Sequence, residues 1–129
     1  MKKKGYDAER ELVRKLREAG FNAVRVPVSA PSGEPFPDVF AVKGNAIVAF
    51  EIKAHHKIYD YFKAKQVSKL FEFLEIHKIY PNRFAVVAAK FPRGKWFFKI
   101  ADEPRDYMIK LGEGMTFQEL LDRVEQRQS

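Results

Sequence analysis

The stretch Pro37-Asp38-Val39-Phe40-Ala41-Val42-Lys43-Gly44-Asn45-Ala46-Ile47-Val48-Ala49-Phe50-Glu51-Ile52-Lys53 decides the fold. Two strand-like runs, Asp38 to Val42 and Ala46 to Lys53, flank Gly44-Asn45, and both of those residues tolerate the positive φ of a tight hairpin turn. With Gly44 and Asn45 as the two loop residues, Lys43 faces Ala46, Val42 faces Ile47, Phe40 faces Ala49 and Asp38 faces Glu51. Directly opposed residues share one face of a sheet, with Cβ atoms ~5 Å apart. The strand period of two carries Lys53 to that face as well. Two carboxylates and a lysine therefore converge at the end of the hairpin remote from its turn. Opposed like charges are unfavourable unless a cation stands between them.

Upstream, Gly5 to Ala19 reads as a helix stopped by Gly20. Its apolar stripe is Ala8, Leu12, Leu16 and Ala19, and Glu9 lies beside it, whereas Arg10, Glu11, Arg14 and Glu18 point away. Glu11 with Lys15 and Arg14 with Glu18 are expected as surface pairs one turn apart. Glu9 has Val13 four residues on and no such partner, so it is either a stripe-edge residue reaching water or a site residue. Phe21 to Val28 is strand-like, and the three prolines between Ala30 and Pro37 make that stretch irregular.

Downstream, residues 54–62 read as a basic and aromatic connection, followed by a helix from Lys63 to Ile79 that buries Val67, Leu70, Phe71 and Leu74. Phe84 to Lys90 and Lys95 to Ile100 are two further strands turned by Pro92-Arg93-Gly94. A last helix starts at Thr116, which forms a capping box with Glu119. The expected architecture is α/β: a central mixed sheet of about five strands flanked by helices, in one domain covering 1–129. Aromatics on both faces of Lys95-Trp96-Phe97-Phe98-Lys99-Ile100, and Phe71 and Phe73 on different sides of their helix, suggest a subunit interface.

The 129 residues are 46% hydrophobic and 14% aromatic, enough to bury a core and to argue against disorder. No apolar run approaches the ~20 residues of a bilayer span, and nothing apolar follows Met1-Lys2-Lys3-Lys4-Gly5, which argues against a membrane protein or secreted precursor. The absence of cysteine excludes disulfides, thiolate zinc sites and thiol nucleophiles, and fits an intracellular, cytoplasmic setting. Twenty-four basic residues against 17 acidic give a formal charge of +7, so a polyanion, nucleic acid first, is the natural partner. His55, His56 and His77 have no metal-ligand spacing.

Pro37-Asp38 and Glu51-Ile52-Lys53 form a PD…(D/E)xK arrangement. Two hard carboxylates on adjacent strands suit Mg²⁺, which neutralises phosphate and lowers the pKa of an attacking water. A lysine on the same face orients that water or offsets transition-state charge. The chain resembles the archaeal-type Holliday junction resolvases of the PD-(D/E)xK nuclease superfamily, from Gly5 to about Ile100. The resemblance rests on Lys4-Gly5-Tyr6-Asp7-Ala8-Glu9-Arg10-Glu11-Leu12, on Arg25-Val26-Pro27-Val28-Ser29, on the two core motifs and on Gln66 in the second helix. It implies a restriction-endonuclease-like core and a homodimer that cuts four-way junction DNA with Mg²⁺, Mn²⁺ substituting. Glu9, Asp38, Glu51 and the Ile52 carbonyl would bind the metal, Lys53 would position or activate water, and Ser29 and Gln66 would hold substrate or water. The DNA surface would comprise Lys2, Lys3, Lys4, Arg10, Arg25, Lys57, Lys63 and Lys65. His55-His56 and Glu34 depart from the family pattern and bear on junction preference and loop behaviour. The alternatives are a nuclease of the same superfamily acting on another DNA structure and a DNA-binding module without catalysis.

Overall fold

An apolar stripe of Ala8, Leu12, Val13 and Leu16 makes Lys2–Glu18 an amphipathic helix, α1, whose buried face lies against a sheet. In this computed structural model, which describes residues 2–27, 34–54 and 56–128, the chain continues through β1 (Asn22–Arg25), β2 (Val39–Lys43), β3 (Ala46–Lys53), β4 (Tyr59–Phe62) and α2 (Ala64–Glu75). It ends with β5 (Asn82–Phe91), a short turn at Pro92–Gly94, β6 (Lys95–Ala101), β7 (Tyr107–Lys110) and α3 (Phe117–Gln128).

The main sheet has five strands in the order β1-β2-β3-β5-β6. It is mixed: β3 and β5 run parallel, and the other neighbours are antiparallel. A parallel pair needs a crossover, and the segment carrying β4 and α2 supplies it. Helices α1 and α3 cover one face, with Leu12, Leu16, Leu120 and Val124 against Val48, Phe50 and Phe98. On the other face α2 contributes Val67, Leu70 and Phe73, beside Phe62, Tyr107 and Ile109 from a separate two-stranded sheet, β4-β7. With both faces covered, β3 and β5 are buried almost continuously, from Ala46 to Phe50 and from Phe84 to Ala89. No described helix is long and apolar enough to cross a membrane.

The hairpin register matches the expectation, from Lys43↔Ala46 to Val39↔Phe50. Only the turn differs in detail: Gly44 has φ +60°, while Asn45 keeps a negative φ. Positive φ at the first turn position alone is the type II′ pattern. The capping box of α3 is present, Thr116 N–H donating to Glu119 Oε1 (2.9 Å) and Glu119 N–H to Thr116 Oγ1 (3.2 Å).

Several expectations need correction. The second helix ends at Glu75, not Ile79: the His77 N–H returns to the Leu74 carbonyl, its ring donates to the Phe73 carbonyl (2.7 Å), and Ile76 and Ile79 are exposed. The connection before it contains β4, hidden from pattern reading because its inward positions are Asp60 and Phe62. Asp60 is fully buried and lies 3.0 Å from His56 Nδ1. Its partner β7 lies more than forty residues on and shows only a four-residue alternation.

The aromatics of β6 are absorbed within the chain. Trp96 and Phe98 pack on the α1–α3 side and Phe97 on the α2 side, while Phe71 and Phe73 both join the α2 cluster. They therefore give no support to a subunit interface. Glu11 is not a surface partner of Lys15. It accepts from Lys90 Nζ and, at 2.9 Å, from Trp96 Nε1, tying α1 to β5 and β6. Lys15 lies instead over the Phe117 ring, 5.1 Å from its centroid.

Candidate active site

Asp38 precedes β2 by one residue: its carbonyl accepts from Val26 N–H (2.9 Å), continuing the β1–β2 ladder, while its N–H donates to the Phe50 carbonyl (3.0 Å), one residue out of step with the β2–β3 ladder. The ladder thus slips by one residue here: Asp38 bonds to Phe50, already the partner of Val39, and the direct Asp38–Glu51 opposition expected from the sequence is not formed, although the two carboxyls lie near enough to interact. One carboxylate oxygen, Oδ2, accepts from the Ile52 N–H at 2.8 Å, fixing the side chain across the two strands. Glu51 and Lys53 occupy the half-buried positions at the end of β3, between the buried Phe50, Ile52 and Ala54.

The electrostatics follow from this crowding. Burial, with Asp38 beside it, pushes the Glu51 carboxyl up to about 8, against the pull of Lys53 and Lys69. Burial also raises Asp38, opposed by the Ile52 N–H and by the same two lysines. Glu9 is raised by burial and by Asp38, and lowered by its partner Arg25. Arg25 Nη1 donates to Glu9 Oε1 at 3.2 Å, and the guanidinium lies over the Tyr6 ring, 5.0 Å from its centroid. Strand β1 thus folds back along α1 and clamps Glu9, a partner sixteen residues away.

Asp38 and Glu51 are therefore brought together, with Lys53 on their face and Glu9 near enough to feel Asp38 but held by Arg25. Among the described residues no three acidic or imidazole side chains gather closely enough to hold an ion by themselves. Gln66 sits on the first turn of α2, its Oε1 accepting from Lys63 N–H at 3.4 Å. Ser29 lies outside the described residues, as does His55. Lys2, Lys3 and Lys4 fall in the first turn of α1, whose side chains are likewise not described. Arg10 leans on Asp7 at 3.5 Å, and Lys57, Lys63 and Lys65 are exposed. The residue missed by sequence reading is Lys69, whose charge reaches both Asp38 and Glu51. Its signal was its position three residues after Gln66, on the same helical face.

The match to known proteins covers the whole chain: residues 1–129 fit the family model described as archaeal Holliday junction resolvase (hjc). The chain belongs to this family. Among its relatives in the archaeal Holliday junction resolvase family, the crossover junction endodeoxyribonuclease Hje of Saccharolobus islandicus is 36% identical over 122 residues, covering 94% of this chain and 89% of that protein. Hje of Sulfolobus acidocaldarius is 48% identical over 95 residues, covering 71% of this chain and 66% of that protein. The structure of Hjc from Archaeoglobus fulgidus, described as a Holliday junction resolvase from an archaeal hyperthermophile, superposes with a TM-score of 0.74 at 30% identity, over 92% of this chain and 98% of that one.

Proposed function

We propose that this chain is a Mg²⁺-dependent, structure-selective DNA endonuclease that resolves four-way junctions as a homodimer. The observation that carries the reading is the Asp38–Glu51 pair, two carboxyls on adjacent chain segments near enough to interact, with Asp38 pinned by the Ile52 N–H. Both are raised by burial and Glu51 also by Asp38, so the pair fits a divalent cation, which would stabilise both in their charged forms. Asp38, Glu51 and the carbonyl of Ile52 would hold Mg²⁺, Mn²⁺ substituting, with Glu9 joining once released from Arg25. The ion supplies charge neutralisation at phosphate and a more acidic water.

Within that arrangement Lys53 faces the carboxyl pair and offsets the negative charge that grows on phosphate as water adds to phosphorus and the bond to the leaving sugar oxygen breaks. Lys69 approaches the same pair from α2 and adds a second fixed positive charge. Ser29 and Gln66 are assigned to holding substrate or water. Lys2, Lys3, Lys4, Arg10, Arg25, Lys57, Lys63 and Lys65 give affinity through phosphate contacts that do not read sequence. Membership of the resolvase family supports the four-way junction as substrate.

Paired cuts require two active sites, hence the dimer. Its support is the apolar surface left exposed at Ile58, Tyr59, Tyr61, Met108 and Leu111 on and beside the β4-β7 sheet. Cleavage of a labelled junction with Mg²⁺, with and without chelator, tests the reading. Asp38→Asn is expected to abolish cutting while junction binding persists. A fully active Asp38→Asn protein would overturn the mechanism.

A further inference from the structure

Helix α1 carries arginine at positions 10, 14 and 17, spacings of four and three that set all three along one side of the helix. Alongside runs β1, the edge strand of the main sheet, which pairs only with β2. Between them lies an open groove of about 680 Å³, its walls formed by Arg10, Arg14, Arg17 and Arg25, with Val13 and Val24 between them. Glu18 is the one acid in the lining, so four positive charges face one negative.

The four arginines are differently engaged. Arg25 is paired with Glu9, so that end of the groove opens at the candidate active site. At the far end Arg17 donates through Nε and Nη2 to the Ala23 carbonyl, at 3.2 and 3.0 Å, capping an edge-strand oxygen. Arg10 is tied to Asp7 by a long contact with both side chains 59% exposed, which holds it weakly. Arg14 is exposed and has no ion-pair or hydrogen-bond partner among the described residues; the Arg14–Glu18 pair expected from the sequence does not form.

With a helical rise of 1.5 Å per residue, the row from Arg10 to Arg17 spans ~10.5 Å. One strand of duplex DNA advances ~3.4 Å per nucleotide along its axis, so the row matches about three nucleotides. Guanidinium groups suit phosphate oxygens, and the two valines offer nothing that reads a base. We propose that this groove holds the sugar-phosphate backbone of one duplex arm of the DNA and leads that arm away from the active site along α1. This rests on the endonuclease reading and extends the DNA surface to Arg14, which the sequence pattern assigned to the solvent, and to Arg17.

The test is binding of a labelled immobile four-way junction, and of linear duplex with the same arm sequence, across a range of salt. Arg14→Gln is compared with Arg83→Gln, an exposed arginine in β5 opposite Ile47, near the hairpin turn. Loss of one phosphate contact lowers the slope of log K against log salt by ~0.9, which is about eightfold weaker binding at ~0.1 M salt. Arg14→Gln should show that loss equally on junction and duplex, because an arm contact does not depend on the branch point. In cleavage it should raise KM and leave kcat in place. Arg83→Gln should behave as wild type, and thermal unfolding checks that both variants are folded. A slope and affinity for Arg14→Gln equal to the Arg83→Gln control overturn the groove, as does a defect confined to kcat. Wild-type protein that neither binds nor cuts the junction overturns the endonuclease reading, and the groove with it.

Discussion

Glu51→Gln should make the metal-free protein more stable at alkaline pH while destroying its activity. The Glu51 carboxyl is pushed up to about 8 in the fold from an ordinary 4.5. Between those values the unfolded chain has released a proton that the folded chain still holds. The folded state therefore binds more protons, and its stability falls as pH rises through that window, reaching its full loss above about 8. The interval from 4.5 to about 8, at ~1.4 kcal/mol per pH unit, sets ~5 kcal/mol as the most that ionising Glu51 costs the metal-free fold. Glutamine keeps the size and removes the charge, so it also relieves Asp38 of a nearby like charge.

The assay is urea unfolding near pH 5 and near pH 8.5, with chelator and then with excess Mg²⁺. Wild type should lose several kcal/mol between the two pH values in chelator, and Glu51→Gln distinctly less. Mg²⁺ should restore wild type at the higher pH and do little for the variant, since a ligand stabilises only the state that binds it. Parallel pH profiles for the two proteins in chelator would refute the reasoning.

Two further predictions concern residues outside the motif. Lys69→Gln should slow single-turnover cleavage about tenfold, or ~1.4 kcal/mol of barrier, without changing Tm, because it removes a charge that reaches Asp38 and Glu51 from an exposed helix position; an unchanged rate would remove Lys69 from the site. Phe98→Ala should cost ~3–5 kcal/mol in chemical unfolding, since the ring is fully buried among Phe50, Trp96 and Phe117; a loss below ~1 kcal/mol would mean that β6 is not packed as described.

What the sequence made legible was local. Gly44-Asn45 and the period of two set the β2–β3 register from Lys43↔Ala46 to Val39↔Phe50, which brings Asp38 near Glu51, but the one-residue slip at Asp38 was not legible. The helical stripe of α1 was legible, and that of α2 except that Phe73 rather than Phe71 is its buried ring, as were the Thr116–Glu119 cap and the mixed five-stranded sheet. What was not legible depends on partners far away in the chain. Glu11 meets Lys90 and Trp96 only because α1 crosses β5 and β6, so its apparent surface role was misleading. Helical spacing puts Lys69 on the face of Gln66, but it reaches the carboxyl pair only because the β3-to-β5 crossover lays α2 beside them. Strand β4 was concealed by Asp60, an inward acid that breaks the alternation and is matched by His56 rather than by an apolar neighbour. The apparent surplus of aromatics on β6 disappeared once both faces of the sheet proved to be covered.

The most direct measurement is cleavage of a labelled, immobile four-way junction with Mg²⁺, beside linear duplex of the same arm sequence. Paired, symmetrically placed nicks on the junction, with the duplex intact, are the predicted result. Equal cutting of both DNAs, or tight junction binding with no cut, would contradict it.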